Sequence, residues 1–96
     1  MYPNEIFREI VEEQSQVIGV KLAHARAQLA GLTFKSPILH DVETPGDPKS
    51  TLNNLLKSYE EIFGQASVDV CLDVIKKMPL EQVLPYLPEN IKVRVQ

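Results

Sequence analysis

The stretch from Asn4 to Leu32 carries more apolar surface than one packed neighbour can cover, and this limits what the chain can fold into. No proline interrupts it, and Glu, Gln, Ala, Arg, Leu and Lys, all strong helix formers, dominate it. At 100° per residue, Phe7, Val11, Ile18, Leu22, Ala25 and Leu29 fall on one stripe. Ile6, Ile10 and Val17 widen that stripe in the first half. The arc then spans roughly 160°, against the ~100° that a surface helix ordinarily needs. Asn4 is the expected N-cap, and Gly31 the expected left-handed stop. Glu5, Glu9, Glu12 and Glu13 precede Lys21 and Arg26, the order that complements a helix dipole. Gly19, Ala23, Ala27 and Ala30 form a second row. Such a row lets another backbone approach closely, although alanine's helix propensity is the plainer explanation.

Asp47-Pro48 opens a second helix, the acid as cap and the proline at the first helical position. Leu52, Leu56, Tyr59, Phe63, Ala66, Val70 and Val74 then recur at spacings of three and four. Gly64 is costly inside a helix, yet the stripe crosses it without changing phase. The pattern predicts one helix to about Lys77, with a possible bend at Gly64. Beyond Gly64 a second apolar face appears, made of Val68, Cys71, Leu72 and Ile75, and it needs a cover. The segment after Met78-Pro79, with Leu80, Val83, Leu84 and Leu87, supplies one as a short helix.

The connection from Thr33 to Ser50 holds Pro37, Pro45, Pro48 and Gly46 and reads as a loop. Phe34, Ile38, Leu39 and Val42 should pin part of it to the core, as a short helical turn. Residues 91–96 alternate apolar and polar, a strand period. They are expected to pair with the Leu32–Lys35 stretch or another chain, or to form a frayed tail.

The expected fold is all-α: one helical domain over residues 1–96, with helices near 4–30, 48–77 and 80–87, a loop at 33–47 and a tail at 91–96. It is a helical bundle completed by dimerisation. Ile6, Phe7, Ile10, Val11, Val17 and Ile18 are the candidate interface residues.

Charge and composition narrow the partners. A net charge of −3 over 96 residues disfavours nucleic acid, whose binding rewards a basic face. It equally disfavours an anionic membrane surface, and no apolar run approaches the ~20 residues that span a bilayer. The polar, acidic start MYPNEIF is unlike a signal peptide. The single cysteine fits a reducing cytoplasmic setting.

Candidate chemistry is thin. His24, His40, Cys71, Asp69 and Asp73 lack every familiar zinc spacing. Cys71 sits in an apolar face, where burial makes a thiol inert, so a Cys–His pair with His24 or His40 is not favoured. Glu60, Glu61, Asp69 and Asp73 read as surface carboxylates, Asp73 pairing with Lys77 one turn on. The four glycines are scattered and form no phosphate loop. No catalytic residue, metal or cofactor is expected. The chain is expected to be a non-catalytic interaction or regulatory module, with a second copy of itself or another protein as partner. The alternative is a monomeric helical adaptor of a signalling system that binds a partner helix. A small enzyme or ligand carrier ranks last.

Overall fold

The computed structural model describes residues 3–36, 41–44 and 46–95. Six α-helices account for most of these: α1 Pro3–Ile18, α2 Val20–Leu29, α3 Pro48–Phe63, α4 Gln65–Lys76, α5 Leu80–Val83 and α6 Glu89–Val95. A 3₁₀ turn, Leu84–Tyr86, follows α5, and an antiparallel hairpin, β1 Thr33–Ser36 and β2 Asp41–Glu43, joins α2 to α3.

Each of the two expected long helices is broken at a glycine. Gly19 has φ 89° and Gly64 φ 65°, a region that L side chains rarely adopt. Both breaks are tight. Gly19 N–H donates to Ser15 O, and Ala23 N–H to Gly19 O; Gly64 N–H donates to Glu60 O, and Ser67 N–H to Gly64 O. A straight helix over residues 3–29 would run ~40 Å, more than the 31 Å longest dimension of the molecule. The path must therefore turn.

The two elbows stand at the same level. On one side of them Tyr59 Oη donates to Ala23 O at 2.9 Å. On the other, Gln14 Nε2 donates to Ser67 O at 2.8 Å. Thus α1 packs on α4 and α2 on α3, as the two limbs of one antiparallel helical hairpin bent at Gly19 and Gly64.

The buried face rotates at each elbow. α1 buries Ile6, Phe7, Ile10, Val11 and Gln14. Carried on at 100° per residue, that face would continue through Ile18, Leu22, Ala25 and Leu29. Instead α2 buries Ala23, His24 and Ala27, well over a quarter-turn away. The small-residue row thus allows a close approach after all, and it does so within the chain, against α3. Past Gly64 the inside passes from Leu52, Leu55, Leu56 and Tyr59 to Val68, Cys71, Leu72 and Ile75. The back face of α4 anticipated from the sequence is therefore the core face.

Local signals explain the ends. Asp47 accepts from Ser50 N–H at 3.2 Å with Pro48 at the first helical position. Gly31, φ 108°, closes α2: its N–H donates to Gln28 O, while Leu32 N–H donates back to Ala27 O. That pair of bonds is a Schellman stop. Asn4, however, lies inside α1, and its side chain accepts from Thr44 Oγ1 at 2.9 Å.

Two further expectations are corrected. The connection is a hairpin, with Phe34 opposite Val42 and an irregularity between Phe34 and Ser36, where a helical turn was expected. Ile38 and Leu39 lie outside the described residues. Residues 91–95 belong to helix α6 and pair with no strand. Ile91 and Lys92 donate to Pro88 O, so this helix opens directly after the proline. α6 packs on α4, and buried Val83, Leu87 and Ile91 complete the core. The expected 80–87 helix is reduced to α5 and the 3₁₀ turn.

Candidate functional site

The six candidate interface residues are divided by the fold. Ile6, Phe7, Ile10 and Val11 are brought together inside the chain, Ile10 with no exposed surface. β2, α2 and α4 all touch α1 and cover its wide arc. Ile18 is half-buried against the core, and Val17 is 60% exposed.

Past the elbow the continuation of the stripe faces water. Leu29 is 76% exposed, Leu22 37%, and Val20 and Ala25 are exposed as well. Leu22, Ala25 and Leu29 share one side of the helix and form a ridge along α2, while Val20 lies on the other side at the start of the helix and Val17 is exposed just before the bend. A groove of about 290 Å³ runs along one flank, lined by Val20, Lys21, His24, Ala25, Gln28 and Phe34. A second, of about 340 Å³, is lined by Arg26, Leu29, Asn54, Lys57, Ser58 and Glu61. The charges on α2 are cationic, Lys21 and Arg26, the latter meeting Glu61 at 3.2 Å. Sequence reasoning placed Leu22 and Leu29 in the inward stripe and so missed this surface. The row through Gly19, Ala23, Ala27 and Ala30 was the signal that marked the opposite side as the packed one.

A third groove, of about 300 Å³, lies between α1 and α4. Glu5, Glu9 and Glu13 stand one turn apart along its α1 wall; Val74, Met78 and Pro79 give it an apolar floor, and Arg8 and Lys77 complete it. Arg8 reaches Glu9 at 3.6 Å. Glu5 and Glu13 make no ion pair among the described residues.

Behind these surfaces, at the level of the elbows, sits a buried polar cluster. Gln14 Nε2 donates to Ser67 O and to Cys71 Sγ, the latter at 3.3 Å. Gln14 Oε1 and Ser67 Oγ have no hydrogen-bond partner. Burial pushes the Cys71 thiol up to about 12, and burial likewise raises Tyr59. A thiol so held is protonated at neutral pH and a poor nucleophile.

The other candidates stay apart. His24 is buried and stacks on Phe34, ring centroids 4.1 Å apart and 12° from parallel. Asp69 accepts from Gln65 on the exposed side of α4, and Asp73 is exposed. Glu60 and Glu61 are exposed on α3. His40 lies outside the described residues. Among the described residues, no three of His, Cys, Asp and Glu are grouped to hold a metal ion, and no helix is long and apolar enough to cross a membrane. No protein-family model matches the sequence, and no curated protein or solved structure is significantly similar to this chain.

Proposed function

We propose that this chain is a non-catalytic protein–protein interaction module that works by helix packing, with the outward ridge of α2 as its working surface. The observation that carries this reading is the inversion at Gly19. Leucines at helical spacing, Leu22 and Leu29, face solvent while alanines fill the inside of the same helix. Covering such side chains is favourable by ~1.5–3 kcal/mol each when burial is complete, and an apolar ridge flanked by grooves is the form in which helices interdigitate. A second copy of the chain is the simplest partner, giving a homodimer. Its interface lies on α2 and Val17, because Ile6, Phe7, Ile10 and Val11 already serve the core.

The test is solution mass as a function of concentration for the wild type and for Leu29→Asp. Association that the substitution weakens at least tenfold, with an unchanged helical circular-dichroism spectrum, is the expected result. A wild type that stays monomeric at high concentration removes the homodimer. One observation favours the alternative, a monomeric adaptor: the α1/α4 groove, with carboxylates on one wall and an apolar floor, has the make-up of a seat for an amphipathic helix with basic flanks.

A further inference from the structure

Charge is segregated along the bent hairpin. On α1, Glu5, Glu9, Glu12 and Glu13 stand against one cation, Arg8. On α2 the formal charges are Lys21 and Arg26, with no acid. Arg26 is already engaged by Glu61, which leaves Lys21 as the cation beside the ridge; it makes no ion pair among the described residues. Glu5 and Glu13 are the matching carboxylates of the α1/α4 groove.

Two ways of joining copies through the ridge can be compared. Ridge against ridge about a two-fold axis brings the cationic edges of both α2 helices together, and like charges at close quarters oppose docking. Ridge into the α1/α4 groove sets Lys21 against carboxylates and lays leucine on the apolar floor of Val74, Met78 and Pro79. Dimensions agree as well. Leu22 and Leu29 are seven residues apart, ~10 Å along a helix axis, and Glu5 to Glu13 spans ~12 Å. Lys77, on the α4 side of the groove, stands opposite the acidic wall and orients the fit, since Lys21 must enter on the α1 side.

From these features we infer that copies of this chain associate head to tail, the α2 ridge of one seated in the α1/α4 groove of the next. The inference rests on the reading of the α2 ridge as the working surface and of a second copy as partner, and it replaces the simple homodimer with a contact between two unlike faces. Ridge and groove are different surfaces, so the contact is heterologous and each joined pair still presents one free ridge and one free groove. Association is then open-ended unless the geometry closes a ring, and salt weakens it through the screened Lys21–carboxylate attraction.

The test uses two double variants at exposed or half-exposed positions: Lys21→Glu/Leu29→Asp, which spoils the ridge, and Glu5→Lys/Glu13→Lys, which spoils the groove. Each is checked for wild-type helicity and measured by sedimentation, alone and as an equimolar mixture. The expected wild type gains mass beyond a dimer as concentration rises, and each variant alone is monomeric. The mixture forms a capped heterodimer, because one intact ridge meets one intact groove. A wild type that stops at a dimer, lost with the ridge variant but indifferent to the groove variant, overturns the head-to-tail arrangement and leaves the interaction reading standing. Wild-type monomer at every concentration overturns the arrangement and removes self-association with it. Should either double variant lose helicity, the single substitutions Leu29→Asp and Glu13→Lys replace it in the same mixture.

Discussion

α1 and α2 come from one unbroken apolar pattern, yet they treat it in opposite ways. In α1 the large side chains of the stripe, Phe7 and Val11 with Ile6 and Ile10, are the core. In α2 the continuation of the same stripe, Leu22, Ala25 and Leu29, looks outward, and alanines take the inside. The neighbours account for the difference. α1 meets α4, α2 and the hairpin, and wide side chains fill the space among several elements. α2 lies close to α3, near enough for Tyr59 Oη to reach Ala23 O and Ser58 Oγ to reach Arg26 O, each at 2.9 Å. A leucine at position 23 or 27 would hold those backbones apart. Periodicity specifies that a helix has an apolar face; the size of the residues opposite that face decides which side is packed most closely.

The largest test of this contrast sets Ile10→Asp against Leu29→Asp. A carboxylate at the fully buried Ile10 has no partner to satisfy it, and the cost is on the order of 3–5 kcal/mol. Set against the ~5–15 kcal/mol that holds a domain of this size together, this unfolds much of the population or lowers the denaturant midpoint severely. Leu29→Asp, at a side chain 76% exposed, should shift stability by no more than about 0.5 kcal/mol. Urea titrations of the two variants decide it; comparable losses would mean that α2 is packed on its leucine side.

A second test is alkaline titration, which probes the cluster where the limbs meet. The Cys71 thiol is raised to about 12 in the folded chain, from an ordinary value near 9. The neutral form is therefore the one the fold favours, and its contribution is fully present below pH ~9. Above that, unfolded chains lose the thiol proton first, and stability should fall with a slope approaching ~1.4 kcal/mol per pH unit until about pH 12. Tyr59, raised in the same direction, adds to the fall above pH ~10. Replacing Cys71 with Ala should remove the part of the slope that starts first. A melting temperature flat between pH 8 and 11 would contradict the burial of both groups.

Ala27→Leu and Ala25→Leu sharpen the comparison within α2 itself. Position 27 is buried against α3, so the added volume should cost about 1–3 kcal/mol by overpacking. Position 25 is exposed, and leucine there should be close to neutral. Thermal melts of the two variants check it.

Much of this architecture was legible where a single residue type has one local meaning. Asp47-Pro48 begins α3, Gly31 ends α2, and Cys71 is buried, each for the reason its chemistry gives. The elbows were legible only in part: a bend was expected at Gly64 and none at Gly19. The stripe runs in phase through Gly19 and Gly64, so its phase alone does not show a helix that turns and rolls to a new face; only the residues on the far side, the small-residue row of α2 and the second apolar face of α4, carry that signal. The tail misled for a different reason. Ile91 and Val95 are four apart, a spacing that both a two-residue and a helical period satisfy, so six residues could not separate strand from helix. The candidate surface followed the elbows: Val17 was grouped with Ile6, Phe7, Ile10 and Val11, which the core takes, and Leu22 and Leu29 needed the rotation at Gly19 to be known.

The substitution with the smallest net change at a buried site is Gln14→Leu, at the last fully buried position of α1 before the bend. The Gln14 amide donates to Ser67 O and to Cys71 Sγ, while Oε1 is buried without a partner. Replacing it with leucine removes one good hydrogen bond, a net loss of ~1 kcal/mol, and also removes an unsatisfied acceptor whose burial costs ~1–3 kcal/mol. Ser67 O is not orphaned by the change, because the N–H four residues on, that of Cys71, is its partner within α4. Leucine is close to glutamine in length, so no large cavity opens. Gln14→Leu should therefore be neutral or stabilising by up to about 1 kcal/mol, whereas Gln14→Ala, which leaves a void, should destabilise by about 2 kcal/mol or more. Chemical denaturation of the pair reads the difference. A Gln14→Leu loss as large as that of Gln14→Ala would show that the amide, and not its volume, holds α1 to α4 at the elbow.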